Sequence, residues 1–464
     1  MTQRPSGYGR AKRGEPAFAV RGIVEGFYGA PWSRQERIDM VHFIADRGMN
    51  TFVYAPKDDA LVRRDWRERY AGEQLEQLSE LLETCRARGV DLVYCLSPGL
   101  SIRYSDEADV AALVAKFESV AALGVTTFGL LLDDIPPVLQ HDGDLAAWPD
   151  LVSAHIDLVG VVHAGLGGRR LMVCPTQYYG YGTEDYVTRL GAGIAPEIDL
   201  FFTGRLICSP SLDLDDAETF AAATGHAPLY WDNYPVNDVA MTHELHLGAY
   251  RGRDARLDRA ARGVIANGME LAEASKIAFA TIADYLWSPS DYDPEASWRV
   301  ALADVVGADD LAAFTRFADT VRSSCLNLED APEFTAALDR FAFLLETGHE
   351  DAAAAVLVAY ADSALDAAAH LLDGPVTNPA LIADVRPWIE SFRTGAQAVR
   401  HLAELAAEHR LERDAAVELA PYRDALIAAR RRVFGDALDM TLTDLVAPPV
   451  ARTTRPVTSH QEAS

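Results

Sequence analysis

From Ala17 to about Ser297 the chain alternates short apolar runs with longer amphipathic stretches. The runs are Val20–Gly26, Thr51–Pro56, Asp91–Pro98, Thr127–Asp134, Leu171–Tyr178, Leu200–Gly204, Leu229–Asn233 and Gly263–Gly268, most of them rich in Val, Ile, Phe, Tyr or Leu. They are apolar at consecutive positions, the pattern of parallel strands buried on both faces. Between them, helical periodicity predicts helices over Ser33–Arg47, Glu73–Arg88, Asp106–Leu123, Asp150–Ala164, Glu184–Gly191, Asp213–Thr224, Val239–Tyr250 and Met269–Trp287. Ser33 followed by Glu36 reads as a capping box, and Gly89 and Gly124 read as helix stops. Strand–helix units repeated in this way predict an α/β fold, a (β/α)8 TIM-like barrel. An open doubly wound sheet is the alternative, but no GxGxxG or GxxxxGK[ST] follows any of the runs.

After Ser297 the pattern changes. Val300–Phe434 is rich in Ala, Leu, Asp and Arg, with helical periodicity over Ala312–Cys325, Pro332–Glu346, Asp351–Leu372, Pro379–His409 and Ala415–Phe434. No short repeat of fixed period runs through it, so an α-helical bundle is expected rather than a solenoid. The predicted organisation is a disordered segment over 1–16, a catalytic barrel over 17–297, a helical bundle over 298–446 and a disordered tail over 447–464.

Composition narrows the partners. The 464 residues carry a net charge of -27, which repels nucleic-acid phosphates and anionic bilayers, so neither nucleic acid nor membrane is expected. No apolar run approaches the roughly 20 residues of a membrane span. The basic start, with Arg4, Arg10, Lys12 and Arg13, is followed by no apolar core of a secretory signal. Five cysteines (Cys85, Cys95, Cys174, Cys208 and Cys325) show no CxxC spacing. Buried reduced thiols and a cytoplasmic location are the expectation, without a zinc site.

In a barrel, reactive groups gather at the C-terminal ends of strands. There the sequence places Glu25, Gly26, Lys57, Asp58, Asp59, Ser97, Asp133, Asp134, Tyr178, Thr203, Asp232, Asn233, Asp238 and Asn267. The sharpest signal is Phe128-Gly-Leu-Leu-Leu-Asp-Asp-Ile-Pro-Pro137, an apolar strand ending in two carboxylates and a double proline. Adjacent like charges oppose joint ionisation, so one carboxyl can hold a proton and serve as a general acid. A Mg²⁺ site and a solvated loop are the other readings. Acid and nucleophile of an ordinary retaining glycosidase lie ~5 Å apart, on opposite sides of the scissile bond. Neighbours from one strand end act more easily from one side, with a 2-acetamido sugar supplying its own nucleophile.

Gly22-Ile-Val-Glu-Gly-Phe-Tyr-Gly-Ala-Pro-Trp32, Tyr54-Ala-Pro-Lys-Asp-Asp59 and the Asp133-Asp134 pair together resemble glycoside hydrolase family 84, over roughly Ala17–Trp287. The resemblance implies a barrel with a following helical domain and β-N-acetylglucosaminidase activity, by way of an oxazoline and with retained configuration. It implies that Asp133 orients the substrate acetamido N–H and that Asp134 is the acid and then the base. It makes Gly26 and Lys57 contacts to sugar hydroxyls, and Tyr178 (in Pro175-Thr-Gln-Tyr178) the tyrosine beside the acetamido group. Trp231 and Asn233, in Tyr230-Trp-Asp-Asn-Tyr-Pro235, become a wall of the acetamide pocket and a donor to it. Asp238 would bind distal hydroxyls, and Asn267 would be a further sugar contact. Many family members carry a tyrosine where this chain has Val239.

Each position also has a plainer reading. Gly26 permits a tight strand exit, Lys57 pairs with Asp58 or Asp59 at the surface, and Tyr178 and Trp231 are packing aromatics. The expected partner is a neutral N-acetylglucosamine-bearing glycoconjugate: a modified protein, a cell-wall fragment or a small glycoside. No metal or cofactor is called for. The alternative function is a non-catalytic N-acetylglucosamine-binding protein or a scaffold built on the helical domain.

Overall fold

The structure, a computed structural model, describes residues 14–329 and 331–446. The segments expected to be disordered, 1–16 and 447–464, lie outside the described residues except for Gly14, Glu15 and Pro16. The chain forms two compact units, one built on residues up to Gly307 with Ser324–Leu328 and Asn378–Asp384, the other on the remainder.

The first unit is a closed barrel of eight parallel strands in sequence order. They are β1 (Val20–Glu25), β2 (Thr51–Tyr54), β3 (Asp91–Leu96), β4 (Thr127–Leu131), β5 (Arg170–Cys174), β6 (Asp199–Phe202), β7 (Pro228–Asp232) and β8 (Gly263–Asn267). β8 closes on β1 with Gly22 opposite Ile265 and Val24 opposite Asn267. Alternate residues face opposite sides of each strand. Val24, Val53, Val93, Leu131, Met172, Phe201, Leu229 and Ile265 fill the interior. Ile23, Phe52, Leu92, Phe128 and Leu130 point outward beneath the helices. Both faces are dry, which explains why the runs lack polar alternation. Gly129 is set by this packing, since a Cβ there would lie 2.3 Å from Cys95 Sγ.

Around the barrel run α1 (Arg34–Asp46), α2 (Gly72–Arg88), α3 (Glu107–Ala121), α4 (Asp142–Ala147), α5 (Leu151–Gly165), α6 (Asp185–Gly193), α7 (Leu214–Thr224) and α8 (Ala272–Trp287), followed by α9 (Pro294–Val306). The Ser33–Glu36 capping box starts α1, and Gly89 ends α2 in the left-handed conformation. The boundary expected at Ser297 falls inside α9, a helix begun by the Asp293 cap and Pro294, and the unit runs on to Gly307.

One expected helix is absent: among the described residues no α-helix lies between β7 and β8, and Val239–Tyr250 holds only a short 3-10 turn. Val239 has φ 50, which no right-handed helix passes through. The segment is held by side chains instead. Asn237 donates to the Glu244 carbonyl, and the buried His246 ring contacts the Pro235 and Val236 carbonyls and the Glu244 carboxylate. Leu245, Leu247, Ala249 and Tyr250 are all buried, a spacing wider than one helix face allows.

The second unit is helical, with α10 (Leu311–Ala318), α11 (Pro332–Glu346), α12 (Glu350–Asp373), most of α13 (Pro379–Ala407), α14 (Leu411–Glu418), α15 (Ala420–Ala429) and α16 (Ala437–Val446). Phe334, Tyr360, Phe392 and Phe434 meet in its core. The helix expected over Ala415–Phe434 is broken at Leu419, where Pro421 opens a new first turn, and it ends at the left-handed Arg430. The helix expected over Ala312–Cys325 is shorter, giving way to a 3-10 turn at Asp319. Against the reading of the apolar runs, α12 is long and apolar enough to cross a bilayer. Its Ala353, Leu357, Tyr360, Ala364 and Leu371 are nonetheless buried at helical spacing.

At the end of β7 Asp232 is held by Arg253 through two hydrogen bonds (3.0 and 2.6 Å) and by the Tyr250 hydroxyl. Removing one partner of a buried pair strands the other charge, at about 3–5 kcal/mol. Asp232→Ala is therefore expected to lower unfolding free energy by about that amount in denaturant titrations, and adding Arg253→Met should recover part of the loss.

Candidate active site

The two neighbouring aspartates stand just past β4. Leu132 still bonds to the Cys174 carbonyl of β5 (2.8 Å), so the chain is strand-like up to that point. Continued extension would send the next two side chains to opposite faces. Asp134 instead adopts φ 53, a left-handed turn that aspartate tolerates at a cost of order 1 kcal/mol. Both carboxylates meet one cation: Lys57 Nζ lies 2.6 Å from Asp133 Oδ2 and 3.4 Å from Asp134 Oδ2.

Lys57 is only 8% exposed. Burial disfavours its charge, but Asp133 and then Asp134 outweigh burial and hold the ammonium above its ordinary pKa. The cation that balances the aspartate pair is thus a side chain, and Asp133, at 6% exposure, does not lie in a solvated loop. Nor does Lys57 belong to a surface cluster with Asp59, which accepts from the Tyr54 and Tyr70 hydroxyls.

Asp134 collects further donors. Tyr178 Oη donates to its Oδ1 (3.1 Å) and Tyr28 Oη to its Oδ2 (2.7 Å). Burial pushes its pKa up, yet Lys57 and then the two tyrosines leave it below the usual carboxylate value. Asp133 is different: its Oδ1 is buried with no hydrogen-bond partner among the described residues. An unsatisfied buried acceptor costs about 1–3 kcal/mol, and more when charged. Such an atom is an acceptor waiting for a donor from a ligand.

The opposite wall comes from β1, β7 and β8. Trp231 Nε1 donates to Asn233 Oδ1 (3.1 Å), which also accepts from Asn267 Nδ2 (3.0 Å), while Asn233 Nδ2 donates to the Ile207 carbonyl (2.8 Å). Asn267 Oδ1 is a second buried acceptor without a partner among the described residues. Gly26 owes its place to this wall, because a Cβ would lie 2.4 Å from Trp231 Cζ2. Asp238 Oδ2 accepts from the Tyr28 N–H (2.6 Å), and burial raises its pKa.

These groups enclose a cavity of about 400 Å³, within the ~300–1,000 Å³ of small-molecule sites. All nine predicted positions line it: Gly26, Lys57, Asp133, Asp134, Tyr178, Trp231, Asn233, Asp238 and Asn267. Of the other strand-end residues, Thr203 lines it too, whereas Glu25 is turned to Arg37 and the Trp32 N–H. Sequence reasoning missed Tyr28, Cys174, Ile207, Cys208, Val236 and Met241, which also line the cavity. Tyr28 had a signal, a polar-tipped aromatic two residues past a strand end inside the Gly22–Trp32 motif. The loop residues had none.

A family model described as beta-N-acetylglucosaminidase matches residues 21–319. Protein O-GlcNAcases of Rattus norvegicus and Mus musculus are each 32% identical over 295 residues, covering 61% of this chain and 32% of theirs. The chain therefore spans about a third of the length of these curated relatives. Among solved structures, a mutant O-GlcNAc hydrolase of Thermobaculum terrenum superposes with a TM-score of 0.87 at 31% identity, over 93% of this chain and 95% of that one.

Overpacking a well-filled wall typically costs about 1–3 kcal/mol. Gly26→Ala is expected to lower stability within that range and to shift the Trp231 indole N–H resonance in a proton–nitrogen NMR spectrum, as the ring leaves Asn233. An unmoved resonance would show that the wall accommodates the methyl.

Proposed function

Because this chain belongs to the β-N-acetylglucosaminidase family, we propose that it is a retaining, exo-acting β-N-acetylglucosaminidase. It removes terminal β-linked N-acetylglucosamine from glycoconjugates, O-GlcNAc-modified proteins among them. The reading includes a reducing, cytoplasmic setting, in keeping with the unbridged thiols of Cys85, Cys95, Cys174, Cys208 and Cys325.

The observation that carries the reading is the unpartnered Asp133 Oδ1, buried beside an ammonium in the lining of the cavity. An acetamido N–H supplies the missing donor. Its hydrogen bond to Asp133 draws electron density toward the acetamido carbonyl oxygen, which attacks the anomeric carbon. The glycosidic C–O bond breaks as Asp134 gives its proton to the departing oxygen, the acetamido nitrogen passes its proton to Asp133, and an oxazoline forms. Asp134, now a carboxylate, takes a proton from water. That water attacks the anomeric carbon from the side the leaving group vacated, the oxazoline C–O bond opens as Asp133 returns the proton to nitrogen, and configuration is retained.

Lys57 Nζ, 2.6 Å from Asp133 Oδ2, holds that carboxyl group in place and leaves its Oδ1 free to accept. Asp134 begins as a carboxylate, its pKa held below the usual value, and must acquire a proton. Substrate assists by drawing the Tyr178 hydroxyl to its own acetamido carbonyl and by shielding Asp134 from water, both of which favour the acid. Trp231 packs on the acetamido methyl, Asp238 is placed for distal hydroxyls, and Asn267 Oδ1 is a further acceptor. A cavity of about 400 Å³ suits one terminal sugar.

With an aryl β-N-acetylglucosaminide and an alkyl one as substrates, Asp133→Asn should lower kcat/KM on both by ~10²–10⁴-fold. Asp134→Asn should spare the activated aryl substrate at the glycosylation step and cripple the alkyl one. Equal and mild losses would remove the assignment, and a folded wild type that binds N-acetylglucosamine without hydrolysis would point to a lectin.

The pH dependence has a definite sign. Asp134 in the free protein lies below the usual carboxylate value, so its acid form is lost as pH rises from the acidic side. kcat/KM for the alkyl substrate, which reports the free enzyme, should decline on the acid side of neutral, while the aryl substrate stays flatter. Parallel profiles for the two would count against Asp134 as the acid.

A further inference from the structure

Resting on the reading of Asp134 as the acid–base group, we infer that Arg63 is a positioning residue that acts on Asp134 through the Tyr28 hydroxyl. Arg63 lies in the connection between β2 and α2, the one that also supplies Lys57. Its Nη1 donates to Tyr28 Oη at 2.9 Å, and Tyr28 Oη donates to Asp134 Oδ2 at 2.7 Å. The phenol oxygen is thus an acceptor on one side and a donor on the other. The guanidinium, always charged, occupies a lone pair of the oxygen, directs its only proton toward Asp134 and makes that proton a better donor.

The surroundings of Arg63 set it apart from most arginines of the chain. It is half-buried, yet among the described residues it forms no ion pair with a carboxylate, and its Nε is buried without a hydrogen-bond partner. Its guanidinium stands 5.3 Å from the Tyr28 ring centroid, with Lys57 Nζ 5.5 Å from the same centroid. A cation without a countercharge, held against one phenol, is aimed at that phenol. Tyr28 keeps its proton, since burial raises its pKa and the nearby cations reverse this only in part. The hydroxyl therefore remains a donor through the working range.

Asp134 is faced by a defined set of groups: Tyr28 after β1, Lys57 after β2, Asp133 on its own element, Tyr178 and the Cys174 thiol from β5, and Asp238 after β7. Lys57 is shared with Asp133 and is closer to it. The Arg63–Tyr28 arm ends on Asp134 alone. It stabilises the carboxylate, the form that must be regenerated and must then activate water, and it holds Oδ2 in place through both half-reactions. Removing the arm weakens the donor to the anion, so the pKa of Asp134 rises and the alkaline limb of kcat/KM moves to higher pH.

The test compares Arg63→Met in the wild-type and Tyr28→Phe backgrounds, using the full chain. The alkaline limb of kcat/KM on an alkyl β-N-acetylglucosaminide is measured, together with the Asp134 carboxyl titration by carbon-13 NMR, assigned with Asp134→Asn. In the wild-type background Arg63→Met should raise both by roughly half a unit to one unit, with the folded spectrum retained. In the Tyr28→Phe background the same substitution should move neither. Unmoved titrations in the wild-type background would overturn the proposal, and so would equal shifts in both backgrounds, which would mean that Arg63 acts by its field alone. An Asp134 titration that shifts as expected in a protein without glycosidase activity would retain the relay and discard the reading of function. Activity with an unmoved titration would do the reverse.

Discussion

The site depends on one buried ammonium held between two sequence-adjacent carboxylates. Lys57 sits 2.6 Å from Asp133 and 3.4 Å from Asp134, almost out of water. Two carboxylates at such a place repel, and one of them would protonate or turn away without a counterion. The ammonium removes that pressure. It does so unequally, with the closer contact to Asp133, and leaves Asp134 within reach of Tyr28 and Tyr178. Two residues of one type, joined by one peptide bond, thereby acquire different surroundings: one offers a bare acceptor atom, and the other sits in a web of exchangeable donors.

The fold was legible in the apolar runs because a strand buried on both faces reads as a short continuous apolar stretch, set apart by its length from the longer amphipathic helices. The strand ends were legible for the same reason, since polar residues begin where the interior stops. Reading failed where side chains replace backbone regularity. Val239–Tyr250 carries enough apolar residues for a helix, yet its carbonyls are met by His246 and its turn by Asn237. Those partners are set by tertiary position, and local propensity holds no trace of them. The break at Leu419 was visible in Pro421, which a helix accepts in its first turn and rejects in its middle.

The site was legible to the extent that it is carried by strand ends and by short motifs. Lys57 could be placed at a strand end, but its partner lies 76 residues away, and nothing in Tyr54–Asp59 distinguishes a bond to Asp133 from one to Asp59. Gly26 was read as a contact position or as a strand exit. Its requirement comes from the Trp231 ring of β7, two strands round the barrel, which no local pattern names. The role of Tyr28 toward Asp134 and of Arg63 toward Tyr28 is of the same kind, a chain of donors linking three connections of the barrel.

The left-handed turn at Asp134 ties these features to mechanism. A strand presents neighbours to opposite faces, and acid and nucleophile of an ordinary retaining glycosidase must likewise stand on opposite sides of the scissile bond. Here the backbone takes a strained conformation that places both carboxylates on one side, around one cation. That arrangement keeps Asp133 beside Asp134 and not across the scissile bond from it, where the nucleophile of an ordinary retaining glycosidase stands. It suits a substrate whose own acetamido oxygen attacks, with one carboxylate to orient the acetamido N–H and the other to move the proton. On the function proposed above, the strain at Asp134, the shared Lys57 and the bare Asp133 Oδ1 are three consequences of a single demand, that two adjacent aspartates work from the same side.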